Sequence, residues 1–201
     1  MNVIVDTGCA NLSSVRFAVE RLGYKVTISA NPSLILSAEK VFLPGVGTVR
    51  EAMKNLAQNQ LVDVIKSVEA PLLGICLGMQ ILTEYSYEDG IAENQQGTKC
   101  LGVIPGHIRK IQPKGHEPLP HMGWNQIQPA DHPLFKGIDN KSFFYFVHSY
   151  ALPVSQYTLA QCDYGEPFSA VIGHKNFFGV QFHPERSSAA GAQLLQNFME
   201  M

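Results

Sequence analysis

The sequence predicts an α/β fold: an open, mostly parallel sheet flanked by helices, with an added antiparallel strand region. Three observations carry this. From Asn2 to about Tyr85, short apolar runs alternate with amphipathic stretches, the β-α-β order that implies a parallel sheet with right-handed crossovers. Val41-Phe42-Leu43 and Leu72-Leu73 with Ile75 are unbroken by polar residues, as expected of strands covered on both faces. Pro71 to Gln80 reads as a strand, a very tight turn and a helix, with Gly74 and Gly78 flanking Cys76; small residues there let the helix approach the strand.

The elements follow in order. Asn2 to Asp6 is an apolar strand and Thr7 to Asn11 a turn, after which Ser13 or Ser14 can cap a helix. Val15, Ala18, Val19 and Leu22 make one apolar face, and Gly23 ends the helix. Lys25 to Ala30 forms a second strand. Asn31-Pro32 is an N-cap with proline at the first helical position, so Pro32 to Lys40 forms a short helix. Val41 to Leu43 is the third strand, Pro44-Gly45-Val46-Gly47 a loop, and Thr48 to Val68 one long amphipathic helix. The strand into Cys76 and its helix, to about Tyr85, come next. Ser86 to Cys100 is a polar surface loop. Val103 to Ile111 and Asn125 to Gln128 are edge strands with a loop from Pro113 to His121 between them, and His132 to Phe135 is a helical turn. Ser142 to Tyr150 is an aromatic strand; Tyr157 to Cys162, Ser169 to His174 and Phe177 to Phe182 are further strands, and Ser187 to Met201 is a helix. No repeat, linker or low-complexity tract appears, so residues 1–201 read as one domain.

The totals narrow the function classes. With 201 residues, 45% hydrophobic and 16% charged, the chain has the make-up of a soluble globular domain. A net charge of -2 gives no reason to expect a nucleic-acid or anionic-membrane partner. The four cysteines, Cys9, Cys76, Cys100 and Cys162, are widely spaced and read as reduced thiols. The N-terminus lacks the pattern of a signal peptide, and no apolar run approaches the ~20 residues of a membrane span; a cytoplasmic location is expected. His107, His116 and His121 lack the spacing of metal ligands, so no metal is expected.

A lone cysteine is most often a small buried hydrophobe. The flanking glycines and the strand-to-helix switch favour a nucleophile instead, with a thiol at the positive end of a helix, where its pKa should fall. A nucleophilic thiol needs a base, and the base an orienter. Of the seven histidines, only His183 has a carboxylate at a spacing that fixes it. Pro184 pushes His183 out of the helical region; in an extended segment residues two apart face one side, so Glu185 can hold one imidazole nitrogen while the other faces Cys76. His148 is the rival base, without an acid nearby in sequence. Pro44-Gly45-Val46-Gly47 can present a nest of backbone donors to a developing anion, and no GKS or GKT follows to make it a phosphate-binding loop.

The motifs Pro44-Gly45-Val46-Gly47, Gly74-Ile75-Cys76-Leu77-Gly78-Met79-Gln80 and His183-Pro184-Glu185 together resemble the triad-type (class I) glutamine amidotransferases. Pro120-His121-Met122-Gly123-Trp124-Asn125 and His148-Ser149-Tyr150 look like those of the glutaminase subunits of imidazole glycerol phosphate synthases, which work in histidine biosynthesis. The resemblance implies a flavodoxin-like sheet and a Cys76-His183-Glu185 triad that hydrolyses L-glutamine through a cysteinyl thioester. Backbone N–H groups of Gly45, Val46 and Leu77 would hold the oxyanion. Gln80 and Glu84 would recognise glutamine, with His148, Ser149 and Tyr150 at its amino-acid end. No cofactor is implied. Ammonia would pass to a (β/α)₈-barrel cyclase subunit in a heterodimer, with Asn11, Ser14, Trp124 and Arg186 near that interface. Arg186 stands where this subunit often has lysine, keeping the charge but not the geometry. The 44–47 loop is the expected gate, since glycine tolerates a flipped peptide. Other amidotransferase subunits, a free-standing γ-glutamyl hydrolase and a non-catalytic glutamine sensor are the alternatives; the Gly-Trp-Asn and His-Ser-Tyr segments argue against the first two and the intact triad against the third.

Overall fold

A computed structural model describes residues 1–8, 12–88, 97–115 and 117–201. Cys9, Asn11, His116 and the polar stretch 89–96 lie outside them. The chain runs β1 (Asn2–Val5), α1 (Leu12–Arg21), β2 (Val26–Ser29), α2 (Pro32–Leu36), β3 (Lys40–Gly45), α3 (Val49–Gln58), α4 (Val62–Lys66), β4 (Leu72–Cys76) and α5 (Leu77–Ile81). Short strands β5 (Tyr85–Ser86), β6 (Thr98–Lys99) and β7 (His107–Lys110) follow, then β8 (His121–Gln126), β9 (Gln128–Pro129), β10 (Phe143–His148) and β11 (Tyr150–Ala151). The chain closes with β12 (Thr158–Asp163), β13 (Pro167–His174), β14 (Phe177–Val180) and α6 (Ser188–Glu200).

The main sheet has the order β2-β1-β3-β4-β14-β13-β12-β9. Its first five strands are parallel and the remainder antiparallel, the expected parallel sheet with an antiparallel extension. Alternation along the strands builds a core on each face. Ile4, Phe42, Leu73 and Ile75 pack towards α1 and α6, with Val15, Val19, Leu194, Leu195 and Phe198. Val3, Val5, Leu43 and Leu72 pack towards α2 to α5, with Ile35, Leu56, Ile65 and Met79. Burial on both faces is why β1, β3 and β4 read as apolar runs. A separate antiparallel ribbon, β8–β10, and a four-stranded sheet, β11-β7-β5-β6, complete the described residues.

Several expected elements are shorter. The helix from Thr48 to Val68 is two, α3 and α4. Gln60 takes φ 57°, Leu61 N–H donates to Leu56 O at 2.8 Å and Gln60 N–H to Ala57 O at 3.1 Å. That is a Schellman stop with glutamine in the glycine position, so no glycine signals it. Helix α5 ends at Ile81 because the Thr83 hydroxyl takes the Gln80 carbonyl at 2.7 Å and Glu84 N–H turns to Gly106 O. Pro44 and Gly45 belong to β3, leaving Val46 to Thr48 as the connector. The strand Ser142–Tyr150 breaks at Ser149: β10 pairs with β8, β11 with β7, and the Ser149 carbonyl accepts Ile111 N–H at 3.0 Å. Thr98–Lys99 pairs with β5 inside the stretch expected to be loop.

The elbow between β4 and α5 is sterically fixed. Cys76 sits at φ 54°, ψ -110°, where side chains are strained and persist only when the surroundings enforce it. A Cβ on Gly74 would lie 2.6 Å from the Gly78 carbonyl oxygen, and one on Gly78 only 1.7 Å from the Leu43 carbonyl oxygen. Gly78→Ala should therefore force β3 and α5 apart, costing about 3 kcal/mol or more; chemical denaturation would show the loss, and a wild-type midpoint would refute this account of the elbow.

Candidate active site

Cys76, His183 and Glu185 meet at the C-terminal ends of β4 and β14, where open α/β sheets place their sites. His183 has β-region angles, φ -99° and ψ 96°, as a residue before proline should. Residues Pro184–Arg186 form a 3₁₀ turn rather than continuing extended, and this turn swings Glu185 back onto its histidine. His183 Nδ1 lies 2.8 Å from Glu185 Oε1, with side-chain exposures of only 6% and 1%. The other face of the imidazole is hydrogen-bonded to Cys76. Burial pulls the His183 pKa down, but hydrogen bonds and charge attraction from Cys76 and Glu185 outweigh it and raise it to about 10. These neighbours favour the cationic form of His183, which suits it to give a proton. Ser187 locks the turn: its hydroxyl donates to His183 O at 2.6 Å and accepts Tyr145 N–H at 2.9 Å, while His183 N–H donates to Tyr145 O.

A cavity of about 340 Å³ opens over the sulfur. Val46, Gly47, Leu77, Gln80, Glu88, His148, Ser149 and Tyr150 line it with Cys76 and His183. The structure thus gathers most of the residues expected at the site. Gly45 lies beneath them, paired with Cys76 across β3 and β4. Glu84 is a correction. Its carboxylate binds Gly106 N–H at 3.0 Å and faces His107 at 3.7 Å, outside the cavity, because α5 stops before it reaches the pocket wall. Glu88 takes the wall instead and accepts Val49 N–H at 2.6 Å. Its only sequence signal was an acid in a tract that reads as solvated loop.

His148 is not a base for the thiol. Its Nδ1 lies 3.0 Å from the Tyr150 carbonyl and its Nε2 3.0 Å from His121 Nδ1. A carbonyl only accepts, so His148 Nδ1 carries the proton and His121 Nδ1–H donates to His148 Nε2. Asn125 Nδ2 closes the chain onto His121 Nε2 at 3.5 Å. Burial lowers the pKa of His121 to about 4, and burial with the neighbouring His121 and His183 lowers that of His148 to about 3. Both are neutral struts that brace the 148–150 segment. Cys100 and Cys162 are buried thiols pushed up to about 12 by burial, hence inert.

Trp124 and Arg186 come together at the rim. The Arg186 guanidinium sits 5.2 Å over the Tyr145 ring, which meets Trp124 edge-on at 5.9 Å. Ser14 lies in the first turn of α1. Among the described residues, no group of three or more His, Cys, Asp or Glu could hold a metal ion, and no helix is long and apolar enough to cross a membrane.

Two outcomes follow. Glu185→Gln removes the charge that holds His183 protonated, so its pKa should move down from about 10, read by NMR, and turnover should fall roughly 100-fold or more. His121 and His148 have folded pKa values below the unfolded 6.5, so the unfolded state binds more protons at acid pH. Stability is then complete above pH 6.5 and falls as pH drops towards 4, by at most roughly 1.4 kcal/mol per pH unit for each histidine. Denaturation of wild type and His121→Gln at pH 7 and 5 should show a smaller acid loss in the variant; equal losses would contradict it.

The model of the glutamine amidotransferase class-I family matches residues 3–201. The imidazole glycerol phosphate synthase subunit HisH of Vibrio cholerae is 60% identical over 200 residues, covering 99% of this chain and 98% of that one. The subunit of the same name from Yersinia pseudotuberculosis is 56% identical over 201 residues, with 99% and 98% covered. Among solved structures, a glutamine amidotransferase matches with TM-score 0.73 at 16% identity, covering 98% of this chain and 97% of that one. A putative GMP synthase subunit from Thermoplasma acidophilum matches with TM-score 0.71 at 16% identity, covering 100% and 92%; at that identity these two report the shared fold. With the family model and the relatives both spanning almost the whole length, the chain belongs to the class-I glutamine amidotransferases.

Proposed function

We propose that this chain is the glutaminase subunit of an imidazole glycerol phosphate synthase, acting in histidine biosynthesis. The carrying observation is the Cys76–His183–Glu185 chain at the floor of a cavity walled by Gln80, Glu88 and the 148–150 segment; the full-length relatives that bear this subunit's name support the assignment. The Cys76 sulfur attacks the side-chain amide carbon of L-glutamine. Negative charge on the amide oxygen is met by backbone N–H groups of Leu77 and the Gly45-Val46 segment. His183 transfers its proton to the amide nitrogen, the C–N bond breaks, and ammonia leaves a γ-thioester. His183, now neutral, takes a proton from water; the hydroxyl adds to the thioester carbon and the thiolate departs, releasing glutamate. Glu185 stabilises the cationic form of His183 at the start and end of this cycle. Glu88 complements the substrate's α-ammonium group, and the backbone of Ser149 and Tyr150 receives its amino-acid end.

Ammonia then passes to a cyclase subunit, a (β/α)₈ barrel, in a cytoplasmic heterodimer without a nucleic-acid or membrane partner. The β8–β10 ribbon is the docking face. Met122, Trp124 and Phe143 are 65%, 52% and 51% exposed there, a density of uncovered large side chains suited to an interface. Arg186 extends that face through its contact with Tyr145. The ribbon also bears the carbonyl of Tyr145 that holds His183 N–H, so docking can reach the triad through one hydrogen bond. The connector after Gly45, where Gly47 takes φ +89°, is the segment able to turn its donors towards or away from the oxyanion.

Ammonia release from glutamine tests the proposal, measured for the purified chain alone and with the cyclase subunit and its aminoimidazole carboxamide ribotide-type ligand. Activity should be low alone and rise sharply with both, and Cys76→Ser should lower it by at least about 1,000-fold. Equal activity with and without the partner would discard the subunit assignment; an active Cys76→Ser variant would discard the nucleophile.

A further inference from the structure

Besides His183, one buried polar side chain reaches Cys76, and the glutaminase chemistry above does not use it. Gln181 is fully buried, and its Nε2 lies 3.9 Å from the Cys76 sulfur. It shares a face with His183 because residues two apart in extended backbone point the same way. The intervening Phe182 turns the opposite way, into the core, with its ring 4.3 Å from that of Phe144.

The polarity of the Gln181 amide follows from its partners. The Tyr150 carbonyl can only accept, so the Gln80 amide atom 2.9 Å from it is the nitrogen. That same nitrogen lies 3.0 Å from the Gln181 amide, where it must meet the oxygen. Gln181 Oε1 is thus occupied and its NH₂ is turned to the sulfur. His148 Nδ1–H donates to the same Tyr150 carbonyl, so the whole array is ordered: carbonyl, Gln80 amide, Gln181 amide, sulfur. Both amides are buried, where an unmatched donor or acceptor is expensive, so the orientation does not flip freely.

We infer that Gln181 is a positioning residue for the Cys76 thiolate. Its amide N–H donates to the sulfur and holds it at the cavity. Gln80 and the Tyr150 carbonyl set the direction of that donation. The thiolate thereby has two donors of different kinds: His183, which leaves with a proton during the reaction, and Gln181, which does not. When the thiolate is expelled from the thioester, the Gln181 donor is already in place to receive it.

The inference rests on the glutaminase reading for its catalytic meaning, but its test does not need glutamine. Gln181→Met adds no charge beside the sulfur and removes the donor that faces it, while Gln80 keeps the Tyr150 carbonyl as its acceptor. Alkylation of Cys76 by iodoacetamide should then slow about tenfold at neutral pH and its pH midpoint should rise by about one unit, the size expected for losing a hydrogen bond to a charged group. In the glutamine assay with the partner present, kcat should fall about tenfold with KM within about threefold. A merely structural role would leave the alkylation midpoint where it was, and that result overturns the assignment. If Gln181→Met does not fold, the side-chain amide resonance of Gln181 in the wild-type chain decides: it should shift as Cys76 ionises and on its alkylation, and an unmoved resonance overturns the inference. Absence of ammonia release by wild type with its partner would overturn the glutaminase reading instead.

Discussion

The structure depends on one close approach, that of the Gly78 peptide to the carbonyl oxygen of Leu43. It brings the start of α5 against the end of β3, with no room for a single methyl group between them. From it follow the positive φ of Cys76, the exposure of its sulfur to the cavity, and the placement of the Gly45-Val46-Gly47 backbone beside the reacting centre. The strain at Cys76 is borne by two parallel strand pairings, β3–β4 and β4–β14, that hold the strand in place on both sides. Neither helix propensity nor the thiol itself would choose this backbone; packing over-determines it.

Around that elbow the protein uses buried imidazoles in opposite electrostatic states. His183 is buried against a carboxylate and a thiol, and its charge is favoured. His148 and His121 are buried against a carbonyl, an amide and each other, and their charge is disfavoured. The side chain and the burial are alike, so the neighbours decide, and environments that push like groups apart in pKa sort proton donors from structural posts. The neutral pair has a structural task. It fixes the Tyr150 carbonyl, which in turn orients Gln80 and Gln181, so hydrogen-bond direction is passed from the base of the β8–β10 ribbon to the catalytic sulfur with no charge moved.

The ribbon also leaves large side chains uncovered. Its outer face carries Met122, Trp124, Phe143 and Tyr145, while its inner face carries His121, Phe144, Phe146 and His148. Alternation of a two-stranded pair therefore puts exposed large side chains and the His121–His148 brace on opposite sides of one thin layer. The same layer holds His183 N–H through Tyr145 O and lines the cavity with His148.

The features carried by neighbours along the chain are legible from the residues alone. The apolar runs of β1, β3 and β4, the helical face of α1, the glycine spacing around Cys76 and the proline that keeps His183 out of the helical region are all short-range patterns, and each reads correctly from a few residues. The pairing of His183 with Glu185 was equally local, although a 3₁₀ turn and not an extended segment delivers it. The rest is set by contacts between segments distant in the chain. Gln60 ends α3 in a conformation glutamine seldom takes, held by Leu61 N–H and the packing of α4. Ser149 splits one aromatic strand between two sheets because β8 and β7 compete for it. Glu84 turns to Gly106 while Glu88, from the tract that reads as loop, lines the cavity, and Gln181 meets Cys76 across 105 residues of chain. These outcomes depend on which distant groups compete for each backbone and side-chain hydrogen bond, and a local pattern of polarity carries no record of that competition.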